Sequence, residues 1–127
     1  MVLKLIHQVL QKKIDKPLIT NNMANAKEEF LRTVGSTEVL CAQISYQDCW
    51  EHELPGSEHK LLVGYTQEQY NSFIESLDFE YDAGYGGQEL FGCIWYKNGT
   101  WADRGEYDGS EWWQHHECPI VPKSLLF

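Results

Sequence analysis

The chain has 127 residues, which suits one ordinary domain rather than two. Apolar residues make up 43% of it, aromatics 13%, and the formal charge is −9, a combination that excludes a disordered tail and a disulfide-dependent miniprotein. The acid excess also argues against sequence-independent nucleic-acid binding, which needs cations to displace condensed counterions, and against an anionic membrane surface as partner.

Val2, Leu3, Leu5, Ile6, Val9, Leu10 and Ile14 recur at helical spacing, with Lys4, Gln8, Gln11, Lys12 and Lys13 on the other side. They predict an amphipathic helix over 1–16, stopped near Pro17. Such a stripe usually packs on the body of its own domain, and its alternative use is to join copies into a homo-oligomer. Residues 17–25 show no period and read as a linker, followed by a body over 26–127. Asn25 is an N-cap with Glu28 as its capping-box partner, and the helix it starts runs through Phe30, Leu31 and Val34 to Gly35.

Residues 38–46 combine β-branched and alternating apolar positions and predict a strand. Residues 47–59 are polar, with Pro55-Gly56 as a turn. Leu61, Leu62, Val63 and Tyr65 predict a second strand, feeding a helix capped by Thr66 and Gln69 with Tyr70, Phe73, Ile74 and Leu77 on one face. The alternation Asp78-Phe79-Glu80-Tyr81-Asp82 predicts a half-buried strand with its aromatics inward and its acids outward in a row. After a glycine-rich loop, Leu90–Tyr96 and Thr100–Tyr107 form a hairpin on Asn98-Gly99, a two-residue turn that would set Tyr96 against Trp101. Asp108-Gly109 is a second turn, and Glu111–Cys118 a further strand. The expected fold is a single α+β domain: an antiparallel meander of four to five strands with two to three helices, the N-terminal one included.

Charge is concentrated along this chain. Residues 46–118 carry fifteen acids against Lys60, Lys97 and Arg104, a net of −12, and also hold all five tryptophans. Disordered acidic segments are poor in aromatics, so this one is folded, and its self-repulsion has to be offset by packing or by a cationic partner. Four cysteines are too few and too scattered for a disulfide scaffold. With neither a secretory signal nor a membrane-length apolar run, the expectation is a cytoplasmic protein with free thiols.

Three chemistries compete for the polar residues. Cys49 and His52, with His115 and Cys118, are weak zinc-ligand candidates; they lack a pair of two-ligand knuckles, and His115 and His116 on a strand point to opposite faces. Neither metal nor any other cofactor is therefore expected. Cys93 with a nearby histidine lacks any nucleophile signature and lies among apolar neighbours, and no catalytic residue is assigned. Acids beside Trp101, Trp112 and Trp113 suit sugar gripping or hydrolysis, an alternative that the sequence leaves open.

The reading favoured is a non-enzymatic interaction module that docks a cationic protein. Its concrete form is an inhibitor that imitates nucleic-acid charge to occupy a nucleic-acid-binding protein. Asp103, Glu106, Asp108 and Glu111 are the expected contacts, with Trp112 and Trp113 as anchors, because carboxylates at strand spacing imitate phosphate rows and tryptophans anchor interfaces. Adjacent residues on a strand point opposite ways, so one of the two tryptophans is expected to be exposed.

Overall fold

A computed structural model describes residues 23–47, 56–84 and 86–126. The predicted helix over 1–16, most of the predicted linker, and Cys49, Trp50 and His52 lie outside the described residues. In chain order the elements are β1 (Met23–Asn25), α1 (Ala26–Val34), β2 (Val39–Tyr46), β3 (Ser57–Leu61), α2 (Gln67–Ser76), β4 (Glu80–Asp82), β5 (Leu90–Tyr96), β6 (Trp101–Tyr107) and β7 (Ser110–His116), followed by a short 3-10 turn, Lys123–Leu125. The class is α+β, with a five-stranded antiparallel sheet ordered β3-β2-β5-β6-β7 and a separate ribbon of β1 and β4. A simple meander describes only β5 to β7. After β3 the chain leaves the sheet to build α2 and β4, then returns beside β2.

Both helices start where their caps predict. Asn25 Oδ1 accepts the Glu28 N–H at 3.0 Å, and Asn25 Nδ2 donates to Asp78 Oδ1 at 3.0 Å, so one side chain starts α1 and ties it to the far side of α2. Gly35 closes α1 at φ +56, a conformation that penalises any side chain. Thr66 and Gln69 complete a reciprocal capping box at the start of α2, with distances of 3.1 and 2.8 Å. Phe30 of α1 meets Phe73 of α2 edge to face at 5.4 Å. Together with Leu77 and Tyr81 they cover Ala42, Ile44, Leu90, Ile94 and Ala102 on one face of the sheet, and all of these are buried.

Four local expectations are corrected. The last three residues of the predicted linker form β1, because the short strand β4 needs a backbone partner and finds it in Met23–Asn25. The second strand lies earlier than its apolar residues suggest: Leu62 and Val63 are 73% and 66% exposed in the turn after β3, whose inward positions are Ser57, His59 and Leu61. Asp82 faces inward with its strand neighbour Tyr81, since the chain bends there and the Asp82 carboxylate accepts the Gly84 N–H. The β5–β6 hairpin is shifted by one residue. Trp95, not Tyr96, opposes Trp101, because the loop has three residues, Lys97–Gly99, with Gly99 at φ +89 absorbing the extra one. The β6–β7 turn does have two residues, Asp108 and Gly109, both at positive φ. Among the described residues no helix is long and apolar enough to cross a membrane.

Candidate functional site

The candidate residues belong to the β6–β7 hairpin, and alternation deals them to two different environments. Arg104, Glu111 and Trp113 point to the helix side of the sheet. Trp101, Asp103, Trp112 and His116 point to the other side, which neither α-helix covers.

On the inner side, Arg104 and Glu111 form an ion pair at 2.7 Å whose side chains are 2% and 0% exposed. Glu111 also accepts the backbone N–H groups of Glu89 and Leu90 at 2.8 and 3.0 Å, so one carboxylate fixes the start of β5. Burial pushes the Glu111 carboxyl above its ordinary range, while the Glu89 N–H, the Arg104 guanidinium and the Leu90 N–H pull it back down. The same Arg104 Nη2 reaches the Tyr81 hydroxyl at 2.8 Å, and that hydroxyl donates to Glu29 on α1. Burial holds the Tyr81 hydroxyl protonated well past its usual range. The guanidinium lies 5.0 Å from the Trp113 ring and 5.7 Å from the Tyr81 ring. This arrangement is internal glue between sheet and helix. Glu111 and Trp113 therefore do not belong to the surface that the sequence assigns them to. Residue parity, odd on β7, turns them inward.

The outer side gathers residues the sequence leaves scattered. Phe91, Trp95 and Trp112 are each about two-fifths exposed. Trp95 opposes Trp101 across β5–β6, and Trp101 stacks on His116 at 5.5 Å across β6–β7. Asp103 takes the other edge of His116, at 2.6 Å. The Trp112 indole closes over Gly105, where a Cβ would meet it at 2.6 Å, so the absence of a side chain at 105 makes the seat for this ring. Cys93 is on the same face opposite Asp103; burial, first, and the nearby Asp103 push its thiol above the ordinary range and make it a poor nucleophile. Glu106 accepts the Gly109 N–H at 3.1 Å, and Asp108 occupies the turn, so these two acids stand at the end of the hairpin rather than in a row with Asp103.

Sequence reasoning misses Phe91, Trp95 and Trp101 as members of one surface. Their shared odd positions on β5 and β6 carry the signal, but the rows align only with the three-residue loop at Lys97–Gly99. Of the weak zinc candidates, His115 lies on the inner face 6.1 Å from the Tyr96 ring and pairs with Glu117, while Cys118 is exposed beyond the strand. No group of three or more histidines, cysteines or acids among the described residues is arranged to hold a metal ion. No family model, curated protein or solved structure matches the chain.

Proposed function

We propose that the protein is an interaction module that docks a cationic protein on the outer face of its sheet. The observation that carries this reading is the exposure of Phe91, Trp95 and Trp112, three large aromatic residues on the same face of the sheet. Charge supports the sign of the partner. The chain carries nineteen acids against ten lysines and arginines; Asp103 lies on the face and Asp108 in the hairpin turn, while Glu106, across from Glu111, stands at the hairpin end on the helix side. Arginine fits such a surface best, since its guanidinium stacks on indole rings and pairs with carboxylates at once. A surface rich in arginine and lysine is what nucleic-acid-binding proteins present to phosphates, and occupation of that surface by charge mimicry is the concrete form of the reading. The contacts proposed are Trp95, Trp101, Trp112 and Asp103, with Glu106 and Asp108 steering approach.

The test is a titration of the protein with an arginine-rich peptide, followed by tryptophan fluorescence at low and high salt, with duplex DNA as competitor for the peptide. The reading predicts saturable binding that weakens steeply with salt, is relieved by DNA, and is lost in the Trp95→Ser/Trp112→Ser variant. Binding that survives the double substitution unchanged contradicts it. The same tryptophans on a flat face, beside Gln43 and Gln114, favour a second reading as a carbohydrate platform. A fluorescence change on adding glycans, insensitive to salt, would select that reading instead.

A further inference from the structure

A second constellation lies at the opposite edge of the sheet, where β3 meets α2. Ser57 and His59 are two apart on β3 and so share its inward side. His59 Nε2 is 2.8 Å from Ser57 Oγ, and His59 Nδ1 is 2.9 Å from Ser76 Oγ at the end of α2. The Phe79 ring stacks on the imidazole at 5.6 Å and fixes its plane.

The hydrogen bonds determine which nitrogen carries the proton. The Ser76 hydroxyl donates to the Phe73 carbonyl at 2.6 Å, so it has only lone pairs to offer His59. Nδ1 must therefore be the protonated nitrogen, donating to Ser76. Nε2 is then bare, and the Ser57 hydroxyl donates to it. Burial lowers the affinity of the imidazole for a second proton, which keeps Nε2 bare at neutral pH. A hydroxyl donating to a neutral imidazole whose other nitrogen is held by a third group is the arrangement that activates serine nucleophiles.

We propose that Ser57 is an activated nucleophile, with His59 as its general base and Ser76 as the residue that positions the base, and that the site takes small acyl esters. Ser57 borders an open depression of about 310 Å³ with Ser45, Tyr46, Gln47, Gly56 and Glu58, which leaves room for a short acyl group beside the hydroxyl. His59 borders a larger groove of about 650 Å³ toward Leu62, Tyr65 and Thr66, which gives a leaving alcohol room to depart. In the reaction, Ser57 Oγ bonds to the ester carbonyl carbon as its proton passes to Nε2. The carbon–alkoxide bond then breaks, and the Nε2 proton goes to the departing alkoxide, releasing the alcohol. Water attacks the acyl-serine with its proton taken by Nε2, the carboxylic acid leaves, and Ser57 recovers its proton from Nε2. This site is independent of the aromatic face.

The full chain treated with a fluorophosphonate tests it, since Ser57 Oγ displaces fluoride from phosphorus and the adduct is permanent. Peptide mapping by mass spectrometry is expected to place the adduct on Ser57, with none at that peptide in Ser57→Ala. Labelling is expected to slow by about a hundredfold or more in His59→Gln. It should slow less in Ser76→Ala and recover in Ser76→Thr, which restores the acceptor for Nδ1. No adduct on Ser57 in the unaltered chain overturns the proposal. So does equal labelling in a folded His59→Gln; should that variant not fold, an unchanged rate in Ser76→Ala overturns it.

Discussion

The two sides of the β6–β7 hairpin are built from alternate residues of the same fourteen positions, yet they follow opposite rules. On the inner side the charges are paired and buried: Glu111 holds Arg104 and two backbone amides, and Arg104 holds Glu111 and Tyr81 through Nη2, while its Nε and Nη1 are buried without a hydrogen-bond partner. On the outer side, aromatic rings remain exposed beside a single acid–imidazole pair. A buried ion pair contributes little net stability over an apolar replacement, but removing one partner is costly. The inner charges are thus structural commitments, while the outer aromatics, whose exposure does nothing for the fold, are free to serve a partner.

The largest effect expected comes from breaking the inner side. Arg104→Met leaves Glu111 buried without its cation, and should lower unfolding free energy by about 3–5 kcal/mol in denaturant titrations. A loss below ~1 kcal/mol would mean that the carboxylate is protonated or hydrated in the fold, and would blur the distinction between the two sides. Next is Gly105→Ala, which sets a methyl against the Trp112 indole and the Gln114 amide. It should cost about 1–3 kcal/mol and shift tryptophan emission as the ring is displaced. Unchanged emission would show that Trp112 does not rest on that glycine.

Acid should act on a third region. The folded chain resists protonating His59, whereas the unfolded chain protonates it near pH 6.5. Stability contributed by this group is complete above about pH 6.5 and is lost as the pH falls through the lower folded pKa. His59→Gln should flatten that part of the stability curve; an identical curve would show that other groups carry it. The smallest effect on stability is expected on the outer side, where Trp95→Ser/Trp112→Ser should change unfolding free energy by no more than about 1 kcal/mol per site, as for surface positions, while removing binding.

Much of this contrast is legible in the sequence, unevenly. The caps at Asn25 and Thr66, the Gly35 stop and the Asp108-Gly109 turn are local chemistry, and each places its element correctly. Exposure of one member of the Trp112-Trp113 pair follows from strand alternation alone. Which member is exposed depends on register, and the three-residue loop at Lys97–Gly99 reverses the naive choice of Tyr96 as the partner of Trp101. Glu111 looks like any other acid in the chain; that it is internal is set by Arg104 and by the amides of Glu89 and Leu90, 22 and 21 residues away. Strand β3 has no apolar signature, because its inward residues Ser57 and His59 are polar and are satisfied by each other and by Ser76. Pairings between distant segments are what a single sequence does not display.

The central claim is that the partner meets the outer face of the sheet. It is tested most directly by mapping amide chemical-shift changes by NMR as an arginine-rich peptide is added. The account predicts changes concentrated at Phe91, Cys93, Trp95, Trp101, Asp103 and Trp112, with α1 and α2 unmoved. Changes centred on the helices, or spread evenly over all exposed acids, would contradict it.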